Sequence, residues 1–151
     1  MNITNYNDEY ETCERTFAEL RIFCERLSVE QISNLLSLDP TSSTTKGHVI
    51  TSKTTGLERI HKLTTWCLSS EGSIDSKDLR RHLDWLLNLL RGKRAVLDAI
   101  NDVDSTDISV YCIWWSAAGD GGPTLSPNQL VELADLNIEC RFELAFFGVD
   151  N

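Results

Sequence analysis

The chain has 151 residues, of which 41% are apolar and 25% charged, with a formal net charge of −9. That size suits one ordinary soluble domain with a real core and leaves little room for two, and no apolar run approaches the ~20 residues that a membrane-spanning helix needs. Charge is uneven: residues 1–45 carry three basic against eight acidic side chains, residues 46–94 ten against five, and residues 95–151 one against ten, so the last third repels nucleic acid and attracts a basic protein.

The opening stretch, MNITNYNDEYETCE, has neither the basic nor the apolar region of a secretory leader, so a cytoplasmic setting is expected. Residues 1–13 are expected to form a flexible acidic segment, and residues 14–148 a single α+β domain. In residues 14–25, Phe17, Leu20, Ile22 and Cys24 mostly alternate with Glu19, Arg21 and Glu25, the pattern of a half-buried strand. Ser28 with Gln31 three residues on then makes a capping box for a helix whose inner face holds Ile32, Leu35 and Leu36, and Pro40 lies beyond its end.

Residues 41–63 are rich in Thr, Ser, Lys and Gly, with one short extended candidate at residues 48–52. LTTWCLSS, residues 63–70, reads as a strand. Leu79, Leu83, Leu86, Leu87 and Leu90 follow at the spacing of an amphipathic, core-facing helix. Gly92 interrupts that stripe, and Val96, Leu97 and Ile100 resume it to about residue 101. DISVYCIWW, residues 107–115, is apolar on both faces and rich in β-formers, which predicts an interior strand. A glycine-rich loop, AAGDGGPT, leads to a second capping box at Ser126 and Gln129 with Pro127 at the first helical position. The last element, IECRFELAFF, alternates Cys140, Phe142, Leu144 and Phe146 with Glu139, Arg141, Glu143 and Ala145, as a strand with one wet face does.

Little in this sequence points to catalysis. The five cysteines are widely spaced without a CxxC pair, four of them lie in strand-like runs, and they read as small buried hydrophobes rather than a disulfide or zinc framework. His48, His61 and His82 show no HExxH or HxH spacing, so neither metal nor cofactor is expected. Asp78 and His82 stand one helical turn apart, which could orient a base but also suits an ordinary helix contact. The glycine loop departs from phosphate-cradling patterns: it reads Gly119-x-Gly121-Gly122, Asp120 places a negative charge in the turn, and Pro127 removes an amide from the helix start. It is expected to turn a corner.

LSVEQISNLLSL from Leu27 and LSPNQLVELADL from Leu125 repeat one another in outline, each after a strand. The order of elements contains the split βαβ pattern of ferredoxin-like folds. The expected architecture is therefore an α+β sandwich, a mostly antiparallel sheet of about five strands with helices packed on one face. Trp114 shares a face with Val110 and Cys112, and Trp115 with Tyr111 and Ile113, so at least one indole belongs to the core. The other either packs under helices as well or sits beside the loop as a recognition surface.

The ordered segments Leu38 and Pro40, Lys46 and Gly47, Trp66 and Leu68, His82 to Leu87, and Gly119 to Leu130 resemble those of a bacterial family called domain of unknown function 4279, over roughly residues 16–147. The resemblance implies a fold and a bacterial setting, and it carries no catalytic residues. Domains of this context are suspected immunity proteins, so the leading expectation is a non-catalytic domain that binds a basic toxin domain. Its candidate contacts are Trp115, Ser116, Gly119, Asp120, Gly121, Gly122, Glu139 and Glu143. The alternatives are a small-molecule or regulatory domain using a cleft by the loop, and an enzyme built around His82. Neither a nucleic-acid nor a membrane partner is expected.

Overall fold

The computed structural model describes residues 4–147; residues 1–3 of the expected N-terminal segment, and residue 148 at the end of the expected domain, lie outside them. In chain order the elements are β1 (Cys13–Cys24), α1 (Val29–Leu36), β2 (Ser42–Thr44), β3 (Val49–Thr51), β4 (Glu58–Ile60), β5 (Thr64–Ser69), α2 (Leu79–Leu90), α3 (Arg94–Asn101), β6 (Thr106–Ser116), α4 (Pro127–Asp135) and β7 (Glu139–Phe146). Both capping boxes form: Ser28 and Ser126 accept from the backbone of Gln31 and Gln129, whose side chains reach back to the cap N–H. Gly92, at a φ of +77° that favours glycine, turns the chain between α2 and α3.

The fold is α+β, with a five-stranded, mostly antiparallel sheet in the order β2-β5-β1-β6-β7. β1 is antiparallel to β5 on one side and to β6 on the other. β5 and β6, both antiparallel to β1 and joined through α2 and α3, flank it as a split βαβ unit, whereas β6 and β7 are adjacent parallel strands joined through α4. The long, doubly apolar β6 takes both β1 and β7 as neighbours, so the one adjacent parallel pair lies at the β7 edge of the sheet. Strands β3 and β4 form a separate two-stranded hairpin whose residues are exposed.

Alternation along the strands sends Ala18, Leu20, Ile22, Trp66, Leu68, Val110 and Cys112 into one core with α1–α4. That core takes up Leu79, Leu83, Leu86, Leu87 and Leu90 of α2, Ile32 and Leu36 of α1, Leu97 and Ile100 of α3, and Leu133 of α4. Leu35, expected on the inner face of α1, is exposed instead. The helices thus cover one sheet face, as their stripes require.

A polar network ties the ends together. Gln129 caps α4, and its amide also donates to the carbonyl of Arg80 and to Asp84 on α2. Tyr6 donates to Asp84 from the other side. Asp8 accepts from Ser76 and Arg81, and the Asn7 N–H donates to Asp78, so residues 5–8 lie along the start of α2.

Leu83 is fully buried and Leu130 is 55% exposed. Leu83→Ala is expected to lower unfolding stability by about 2–5 kcal/mol in urea titration, and Leu130→Ala by under about 1 kcal/mol.

Candidate functional site

The sheet face without helices carries the residues of opposite parity. On β1 these are Arg15, Phe17, Glu19 and Arg21; they lie across from Trp115, Ile113, Tyr111 and Ser109 of β6, and those in turn from Ala145, Glu143, Arg141 and Glu139 of β7. Arginines lie over the aromatic rings. Arg21 sits 4.0 Å from the Tyr111 ring centroid, and Arg15 lies 4.8 Å from Trp115 and 5.0 Å from Phe17. Arg141 approaches Tyr111 from the far side at 5.8 Å. Such stacking leaves each guanidinium edge free for carboxylates.

Those edges are used. Arg15 pairs with Glu71 at 2.6 Å, Arg21 with Glu19 at 2.6 Å and with Glu143 at 2.7 Å, and Arg141 with Asp107 and Glu139 at 3.2 and 3.3 Å. Three guanidiniums thus meet five carboxylates, which leaves the face acidic by two charges. Glu19 is buried beneath Arg21 and also accepts from the Cys67 thiol at 2.7 Å. Burial, together with that carboxylate, pushes the Cys67 thiol up to about 12, so it stays protonated and serves as a donor.

Of the eight expected contact residues, this face brings together Trp115, Glu139 and Glu143. Trp115 is half-buried and meets Phe147 edge-on, whereas Trp114 is fully buried, with Tyr10 and Phe146 as its aromatic neighbours. The remaining five belong to the loop. Ser116 is buried and its hydroxyl donates to the Asp120 carbonyl at 2.6 Å, holding the turn. Gly119 and Asp120 are exposed at the rim. Gly121 has a φ of +82°, and a Cβ there would collide with Thr12 Oγ1. Gly122 borders a cleft of about 260 Å³ whose lining includes Tyr10, Asp78, Arg80 and Trp114. The loop is the corner its composition suggests, closed against the N-terminal segment.

The Asp78–His82 pairing is replaced by other partners. Asp78 caps α2 by accepting from the Arg80 N–H, and it holds the Arg80 guanidinium at 2.6 Å. His82 is buried, with Nε2 2.9 Å from the Ser76 carbonyl and Nδ1 2.7 Å from Ser70 Oγ. A carbonyl only accepts, so Nε2 carries the proton and Nδ1 accepts from the Ser70 hydroxyl, which itself accepts from the Ala18 N–H. Every polar atom of the Ser–His pair is engaged within the fold. Among the described residues no cluster of three or more His, Cys, Asp or Glu side chains is arranged to hold a metal.

The family model described as Domain of unknown function (DUF4279) matches residues 12–146. The chain belongs to this family. No curated protein and no solved structure matches it. In this DUF4279 domain the match begins one residue before β1 and ends with the last residue of β7, so it takes in the whole sheet and both of its faces. Among the described residues, no helix is long and apolar enough to cross a membrane.

Arg15, Arg21, Tyr111, Arg141 and Cys67 escaped the sequence reading, although parity along β1 and β6 places most of them on the face opposite the core. What sequence lacks is the register that sets Arg21 on Tyr111 and Glu143 beside both.

Two outcomes check this geometry. Burial lowers the His82 imidazole below its ordinary value of 6.5, so its contribution to stability is complete above 6.5 and is lost as pH falls from there through the lowered native value; urea titrations are expected to show that decline, flattened in His82→Gln. Gly121→Ala is expected to cost about 1–3 kcal/mol in the same assay.

Proposed function

We propose that this chain is a non-catalytic protein-binding domain that acts in the cytoplasm and uses the open sheet face to engage a basic protein, as an immunity-type protein masking the cationic surface of a cognate toxin. The observation that carries this reading is the open face itself. It combines Trp115, Tyr111 and Phe17 with three stacked arginines and an excess of two carboxylates. Aromatic residues and arginine dominate the binding energy of protein interfaces, and surplus acid steers a cationic partner.

The engaged state of Ser70 and His82 supports a structural role for that pair and weighs against an enzyme built on it. A small-molecule reading rests on the cleft by Gly122, whose volume of about 260 Å³ lies at or below the ~300–1,000 Å³ usual for ligand pockets.

Affinity purification of the tagged chain from its native cells at low salt is expected to recover a basic protein that is released by raised salt. Trp115→Ala and Glu139→Lys, each with native circular dichroism, are expected to weaken its binding at least ~10-fold. An acidic partner, or a basic one unaffected by both substitutions, would overturn the reading. A thermal shift with a metabolite, abolished by Gly122→Trp in the cleft, would favour the small-molecule alternative.

A further inference from the structure

Among the described residues β7 forms one edge of the sheet, and the side of it turned away from β6 is self-complementary. The Phe147 N–H donates to the Ser116 carbonyl across the β6–β7 pair. By alternation, odd-numbered residues of β7 turn their backbone groups toward β6, while Cys140, Phe142, Leu144 and Phe146 turn theirs outward. The same four residues place their side chains on the helix side of the sheet, where Phe142, Leu144 and Phe146 are 44%, 48% and 52% exposed. An eight-residue edge strand with one apolar face and outward N–H and C=O groups at alternate residues is a template for another strand. Charge decides which strand fits.

We infer that a second copy of this chain pairs with the first, antiparallel along β7, about a two-fold axis through Phe142. In that register Arg141 of each copy lies opposite Glu143 of the other, Cys140 lies opposite Leu144, and the two Phe142 residues exchange both backbone hydrogen bonds at the axis. Residues 139–145 of the two strands are paired throughout. An axis through Glu143 opposes two carboxylates, and one through Arg141 opposes two guanidiniums. An axis through Leu144 pairs only residues 142–146 and sets Arg141 against Phe147. The Phe142 axis joins the longest same-face ladder to opposite charges, so shape and electrostatics select the same register.

The existing ion pairs are compatible with it. Arg141 holds Asp107 and Glu139, and Glu143 holds Arg21, yet a guanidinium has five donors and a carboxylate about four lone-pair sites. The new pair extends the network across the axis. Two five-stranded sheets become one continuous sheet with both helix layers on the same side and the two open faces contiguous. This inference is independent of the identity of any binding partner.

The test is molecular mass by light scattering and sedimentation over a concentration series at low salt. The wild-type chain is expected to move from 17.0 kDa to twice that mass. Arg141→Glu alone sets glutamate against glutamate, and Glu143→Arg alone sets arginine against arginine, so each variant is expected to stay monomeric. Mixed in equal amounts they restore both opposite pairs, and a mixed dimer is expected. Leu144→Lys, which leaves every ion pair intact, is expected to be monomeric with native circular dichroism, and it decides the case if either charge variant does not fold. A wild-type chain that is monomeric throughout, a dimer that survives Leu144→Lys, or folded charge variants that fail to combine would overturn the inference.

Discussion

The structure depends on β1. This strand is paired along much of its length on both sides, and its period of two sorts its side chains between a dry layer and a wet one. Ala18, Leu20 and Ile22 give the helices a surface to cover, while Arg15, Glu19 and Arg21 face away. A one-residue slip of either ladder would drive Glu19 and Arg21 into the leucines of α2. The burial of α2 and the exposure of the arginine–aromatic face therefore follow from one register.

The two faces are built on different physics. Beneath α2 the contacts are apolar and non-directional, which suits a layer whose role is cohesion. On the open face each arginine has an aromatic ring beneath it and a carboxylate at its edge, so the side chains are held in place while remaining accessible. Glu19 illustrates the cost of such order. As a buried carboxylate it needs Arg21 and the Cys67 thiol as partners, since an unpaired charge there would be strongly unfavourable.

The edges of the sheet are equally unlike. β2 is a three-residue strand beside β5, too short to recruit a partner, whereas β7 is an eight-residue strand with apolar side chains. α4 joins β6 to β7 but packs against α2 through Gln129, and Phe142, Leu144 and Phe146 stay about half exposed among the described residues. The wet-and-dry alternation of β7 is thus present in the sequence without a dry face in the isolated chain.

What the sequence determined by itself is local. The capping boxes at Ser28 and Ser126, the leucine stripe of α2, the turn at Gly92, the strand runs and the corner at residues 117–124 each follow from residues within a few positions of one another. The family resemblance was legible for the same reason, since it is carried by the order of those segments. Tertiary structure alone decided which strands became neighbours, that His82 pairs with Ser70 and not with Asp78, that Trp114 is buried while Trp115 lies on the open face, and that Arg21 meets both Tyr111 and Glu143. These contacts join positions far apart in the chain, and alternation names the face a residue takes but not the register that sets it opposite its partner.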